Sequence, residues 1–343
     1  MTTHKIFDDP SWFLSSINAD LEVFEFTPVT RTVIRKAAFL DGRTTITVGP
    51  DIKTVPLAEA LEWIQHKTPA QPNRVIAHIS FCGSTLLAKS LEKKGRILSY
   101  REPQILVDLA NLRAARQSLT RDDTTWRQII RFTLSQFRKS WEPEEASVLK
   151  PSNWVNNMLM DMLTCGDPLR IVLMDMSLEA YLLANIRGGK PRLSYSMGLL
   201  NHLLSDRAEH RAIAADVEQE NLSPMQRLLR LLTICFSLQN TLFFEIEQQR
   251  GPTNHLHRLG KQDFLNNPAA RLCDVSAALE LDISHEDAER AVTRSFRYNA
   301  KADGKVPFDA QSEATADDQY RHEFHEDLSK ARDWNAENFP PLG

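Results

Sequence analysis

Five short apolar runs alternate with helical periods between about Arg74 and Lys301: R-V-I-A-H-I-S, R-I-L-S-Y, S-V-L-K, L-R-I-V-L-M-D and H-L-H-R-L. Near-continuous apolar strands separated by helices predict a parallel sheet covered on both faces. Trp126, Ile129, Ile130, Leu134, Phe137 and Trp141 recur at helical spacing, so the segment Trp126–Trp141 is expected to be an amphipathic helix. A longer helix should open at Ser223, with Pro224 at its first position and Gln226 placed to complete a capping box. Gly251-Pro252 cannot continue it. Tyr320, Phe324, Leu328 and Ala331 share one face of an otherwise charged C-terminal segment, which predicts a docked helix.

The N-terminal part has a different pattern. Leu21–Val29 is rich in strand formers, and Asp41-Gly42 between two extended runs in Ala38–Val48 signals a hairpin. A short helix from Pro56 to about Lys67 would bury Leu57, Leu61 and Ile64. Pro69 and Pro72 mark a connector. The expected organisation is an α/β protein in three parts: a β-rich cap over 1–70, a parallel-sheet domain over 74–310, and a C-terminal helix and tail over 311–343.

Composition excludes more than it assigns. The 343 residues are 42% hydrophobic and 25% charged, ordinary for a globular chain. A net charge of −4 gives no global attraction to nucleic acid, so an anionic ligand needs a local site. Leu228–Phe244 comes nearest to a membrane span but is interrupted by Arg230, Thr233, Ser237, Gln239 and Asn240. The N-terminus carries no basic region followed by an apolar one. Cys82, Cys165, Cys235 and Cys273 lie far apart with no C-x-x-C pair, which suits a reducing cytoplasm.

The most informative segment is R-V-I-A-H-I-S-F-C-G-S-T-L-L-A-K-S-L-E-K-K-G. A buried strand runs into a turn containing Gly83, and a helix is expected from Ser84-Thr85 to Gly95, with Lys93 and Lys94 near its negative end. Unpaired amides at such a helix start attract an anion, and the Ser84 and Thr85 hydroxyls add donors. The Walker form is absent, because no upstream glycine is present and Ser84 stands where its lysine would be.

Here the chain resembles the sulfotransferases, which transfer a sulfuryl group from PAPS (3′-phosphoadenosine 5′-phosphosulfate). F-C-G-S-T-L-L is similar to that family's [KR]-S-G-[ST]-T loop, Y-R-E-P-Q to its substrate-side turn, and V-L-K-P to its K-x-P turn. The segment H-R-L-G-K-Q-D-F-L-N-N-P-A-A-R-L-C-D-V-S-A-A-L-E-L resembles its C-terminal motif. The resemblance covers about two-thirds of the chain, with the four segments in the family's order. It implies a P-loop α/β fold and a donor site at Phe81, Cys82, Gly83, Ser84 and Thr85 that extends to the strand end at Asp175. It also implies Glu102 as a general base toward an acceptor hydroxyl or amine, and Lys150 as a catalytic cation.

The departures fall on charged positions. Phe81 stands where the family carries a cation, Met174 and Asp175 stand where its strand ends in arginine, and Leu182 or Leu183 stands in place of its serine. Candidate substitutes are Lys150, Arg101, the segment Arg187, Lys190 and Arg192 around Gly188-Gly189, and Arg297 with Lys301 as cofactor-binding cations before the loop A-D-G-K-V-P-F-D. Three functions therefore stay open: a PAPS-dependent sulfotransferase acting on a small molecule or peptide, a degenerate relative that binds or scaffolds, and a P-loop kinase or nucleotide hydrolase. His78 is expected to be a hydrogen-bonded core histidine. His322 with His325, and His255 with His257, lack enough neighbouring ligands for a metal site.

Overall fold

The computed structural model describes residues 3–46, 51–115, 118–120, 122–207, 210–251, 255–296 and 310–339. Cα proximity divides the chain into two compact units. The first comprises Met1–His78, Gly83–Met174 and Pro252–Phe308, and the second Ile79–Cys82, Asp175–Gly251 and Asp309–Gly343.

The first unit holds both sheets. Strands β1 (Trp12–Asn18), β2 (Val23–Pro28) and β3 (Lys53–Pro56) form an antiparallel sheet in sequential order. Phe24 and Phe26 of β2 are fully buried, and the ring of Phe24 stacks on Phe132, 4.8 Å between centroids. Phe7 and Trp63 pack edge-on around the same ring. Such aromatic contacts fasten the N-terminal sheet to the helix Asp123–Gln136 beyond their area burial alone. That helix buries Trp126, Ile129, Ile130 and Leu134 as its apolar stripe requires, and it ends before Trp141.

All five apolar runs are strands: β4 (Asn73–His78), β5 (Ile97–Arg101), β6 (Ala146–Lys150), β7 (Leu169–Asp175) and β8 (Leu256–Gly260). They form one sheet in the order β5-β6-β4-β7-β8, and the pairings among β5, β6, β4 and β7 are parallel. From β4 the chain crosses to β5 on one side, and from β7 it passes to β8 on the other. The carboxyl ends of β4 and β7 therefore lie at the point where strand order reverses, which is where open α/β sheets hold ligands.

The N-terminal hairpin expected at Asp41-Gly42 is not formed; residues 37–46 are bends and coil, and 47–50 lie outside the described residues. The apolar residues of that run are satisfied elsewhere. Phe39 and Leu40 are buried, Leu40 N–H donates to the Arg101 carbonyl at 2.8 Å, and Gln104 N–H donates to Leu40 at 3.1 Å. β2 pairs instead with β1, a strand the sequence reading missed, and with β3. The loop helix is also shorter than expected, Ser84–Ser90, because Gly95 (φ 74°) closes a turn in which Ile97 N–H donates to the Lys93 carbonyl at 2.8 Å.

The second unit is helical apart from its Ile79–Cys82 segment. Leu178–Asp206 is broken at Gly189 (φ 59°, ψ −156°), just before Pro191. Pro224–Arg250 begins as expected, with Ser223 Oγ accepting from Gln226 N–H, and ends at Gly251 (φ 64°). By length and composition this helix could cross a membrane (mean hydropathy 1.2), but 61% of that stretch is buried inside the protein, as in a core helix. The single C-terminal helix expected from the sequence is two, Ala310–Glu323 and His325–Asn338, and the second buries Leu328, Ala331 and Trp334.

Candidate anion site

The turn after β4 begins with strained backbone. Phe81 has φ 67°, an uncommon conformation for an aromatic residue, and Gly83 (φ 93°) is left-handed at the N-cap of Ser84–Ser90. No side chain caps this helix, and its first intrahelical donor is the Leu87 N–H, which reaches the Gly83 carbonyl at 3.1 Å. The amides before it are the orphan donors of any helix start. Ser84 and Thr85 are buried (4% and 3% exposed), yet neither hydroxyl is hydrogen-bonded to a described residue. A Cβ on Gly83 would meet only Met174 Cε at 3.7 Å, so the glycine is required by its backbone angle rather than by crowding.

The ends of β5 and β6 bring the two expected catalytic side chains together. Lys150 closes β6 and is 1% exposed; its ammonium is ion-paired with Glu102 Oε1. The backbone enforces the pairing, since Glu102 N–H donates to the Lys150 carbonyl at 2.7 Å and Glu102 takes φ 53°. The other Glu102 oxygen is paired with Arg43, whose guanidinium also binds Asp41 and lies 3.7 Å from the Phe39 ring centroid. Burial alone would push the Glu102 carboxyl up. Lys150, His78 and Arg43 outweigh burial and hold it down at about 2. Glu102 is therefore a carboxylate at any physiological pH, and a weak proton acceptor while those cations surround it.

His78, the last residue of β4, is buried, with Nε2 3.1 Å from the Pro151 carbonyl, as expected of a core histidine. That contact assigns Nε2 as the donor. Asn156 supports the same strand end by donating to the His78 carbonyl at 3.1 Å. Arg101 is fully buried but turned away from any ligand role. Its guanidinium is ion-paired with Glu92 and donates to the carbonyls of Ile34, Arg35 and Ala37, closing the end of the helix Arg31–Lys36.

The remaining candidates separate. Cys82 is wholly buried under the turn, and Asp175 is half-buried at the end of β7. Arg297 and Lys301 lie outside the described residues. In the second unit Arg187 is committed to Asp317 and Glu313, Lys190 is exposed, and the Arg192 guanidinium lies 4.8 Å from the centroid of the Phe81 ring. Among the described residues no group of three or more His, Cys, Asp or Glu could hold a metal. Arg43 is the member of the Glu102 cluster that the sequence did not point to, because only the tertiary path of the N-terminal segment brings it there.

Solved structures with a similar course are sulfotransferases. The sulfotransferase domain from the curacin biosynthetic pathway aligns at a TM-score of 0.41 with 10% identity, over 78% of this chain and 99% of its own. The domain from the Synechococcus PCC 7002 olefin synthase gives 0.40 and 11%, over 80% and 99%. A sulfotransferase from Mycobacterium avium gives 0.39 and 10%, over 77% and 81%. At these scores the likeness assigns no residue a role. No family model matches the chain, and no curated protein does.

Proposed function

We propose that the protein binds PAPS, and its product PAP (3′-phosphoadenosine 5′-phosphate), at the turn after β4, and transfers the sulfuryl group to a hydroxyl or amine of a small molecule or peptide. The observation that carries this reading is the pairing of the Ser84 and Thr85 hydroxyls with a left-handed glycine turn and an uncapped helix start at the reversal point of a parallel sheet. Orphan amides at a helix start are stabilised by an anionic ligand, and adjoining hydroxyls add donors. Lys150 is the cation of the adjoining strand end, already free of water. Its pairing with Glu102 sets the chemistry: an acceptor hydroxyl must approach Glu102 while the donor's phosphosulfate competes for Lys150, so that each cation shift toward the donor releases basicity on the carboxylate.

The same ion pair supports a second reading, a protein that binds but does not transfer. Glu102, Lys150, Arg43 and Asp41 are ion-paired with one another without a ligand. Calorimetric titration with PAP, ATP and GTP separates the possibilities. Micromolar PAP binding with ATP and GTP at least about tenfold weaker, a difference of about 1.4 kcal/mol, is the expected result. Preference for ATP or GTP supports a kinase or hydrolase instead, and absence of PAP binding up to millimolar concentration refutes the proposal.

A further inference from the structure

Phe39, Asp41 and Glu102 hold a positive group of the protein's own. Arg43 Nε donates to the Asp41 carboxylate at 2.8 Å, and Nη2 is paired with Asp41 and with Glu102 Oε2. Its Cζ lies over the Phe39 ring, 3.7 Å from the centroid. An aromatic face with two carboxylates beside it suits an organic cation, because the ring attracts the charge through its plane while the carboxylates accept the N–H groups at the edge.

The cradle is fixed, whereas its occupant is exposed. Phe39 and Leu40 are buried; Leu40 N–H donates to the Arg101 carbonyl at 2.8 Å, and its own carbonyl accepts from Gln104 N–H at 3.1 Å. Asp41 is also oriented by its local backbone, since Arg43 N–H donates to Asp41 Oδ1 at 3.3 Å. Glu102 is tied to Lys150 through both backbone and side chain. The side chains of Asp41 and Glu102 are 14% and 11% exposed, but that of Arg43 is 53% exposed, and its Nη1 donates to no described residue. An ion pair with so exposed a partner contributes only about 0.2–1 kcal/mol. Arg43 can therefore swing into the water it already faces, a route closed to Lys150 at 1% exposure.

We infer that Phe39, Asp41 and Glu102 form a subsite for an acceptor carrying an alkylguanidinium or alkylammonium group, and that Arg43 is an internal plug displaced when that group binds. Assigning the group to the acceptor rests on the proposed transfer, whereas the cation subsite does not. Butylguanidinium, butylammonium and neutral 1-butanol are titrated calorimetrically into the wild type, Arg43→Ala, Arg43→Gln, and the double variants Arg43→Ala/Phe39→Leu and Arg43→Ala/Asp41→Asn, with thermal unfolding confirming that each is folded. A tethered arginine competes at a high effective concentration, so Arg43→Ala and Arg43→Gln should each bind both cations about tenfold or more tighter than the wild type. Both double variants should lose most of that gain, and butanol should show none of it. The gain and its dependence on the ring are results that a merely structural role for the Arg43–Asp41 contact does not produce. Equal cation affinity in the wild type and both Arg43 variants, or a gain that survives Phe39→Leu and Asp41→Asn, overturns the inference. Absence of PAP binding removes the transfer reading and leaves the subsite standing, so the two fail separately.

Discussion

Replacing Lys150 with methionine should destabilise the protein by about 3–5 kcal/mol, because it strands the buried Glu102 carboxylate. Lys150 is 1% exposed and the Glu102 side chain 11%, so water solvates neither well. Arg43 cannot replace the lost partner, since its side chain is 53% exposed and such a pair contributes only about 0.2–1 kcal/mol. The acid–base behaviour of Glu102 gives a similar size. Its fall from the ordinary 4.5 to about 2 corresponds to about 3 kcal/mol of preference for the charged form in the folded protein. A depressed carboxylate contributes that stability in full above the unfolded value of 4.5, and loses it as pH falls from 4.5 toward about 2.

Urea unfolding at pH 7 of the wild type, Lys150→Met, Glu102→Gln and the double variant measures the coupling. The double variant should be more stable than the two single losses predict, by about 2 kcal/mol or more, since removing both charges leaves nothing unpaired. The Glu102→Gln protein should also have a flatter stability profile between pH 4.5 and 2. A coupling below about 0.5 kcal/mol would mean that water reaches the pair, and the cluster would no longer qualify as a desolvated site.

Gly83→Ala should cost about 1–2 kcal/mol in thermal unfolding through its left-handed backbone (φ 93°), since its nearest neighbour, Met174 Cε, is 3.7 Å away. Arg101→Met should lose about 3–5 kcal/mol in urea, through a buried Glu92 and three abandoned carbonyls, while PAP affinity stays unchanged in the folded fraction. PAP binding near pH 5 should take up about 0.2 proton more in the wild type than in Glu102→Gln, if Lys150 moves to the phosphate and the Glu102 carboxyl returns toward 4.5. Titration in two buffers of different ionisation enthalpy reads the difference, and equal uptake in both proteins would show that Lys150 stays on Glu102.

The parallel sheet was legible because its strands are buried on both faces: every residue of β4 and β5 is buried, so each reads as an unbroken run. β1 was not, because W-F-L-S-S-I-N has only two fully buried residues and no clean alternation, while Asp41-Gly42 drew attention downstream. The true partner of the Ala38–Leu40 run is the backbone around Arg101, and no local signal reports a pairing sixty residues away. The site divides along the same line. Lys150 and Glu102 were visible singly as residues at strand ends, whereas their contact follows from the parallel register that sets Arg101 opposite Lys150. Arg43 and Arg192 reach their positions through an irregular segment and a helix break, where period and propensity carry no information.

The charge balance of the cluster is what separates a transferase from a binding protein of the same shape. Without ligand, Lys150 and Arg43 are already paired with Glu102 and Asp41, so a phosphate entering beside Lys150 meets a cation whose charge is largely offset. The anion must therefore displace Glu102 from Lys150, or bring its charge to a cation outside the set. In the first case Glu102 recovers basicity at the moment the donor is seated, which is when an acceptor proton has to be taken. In the second case Glu102 stays paired, its carboxyl stays near 2, and proton transfer to it is unfavourable by more than four powers of ten at neutral pH, at about 1.4 kcal/mol per power. Binding would then persist without efficient transfer. The ion pair that holds the ends of β5 and β6 together thus acts as a gate on the chemistry, and whether a ligand opens it distinguishes the two functions.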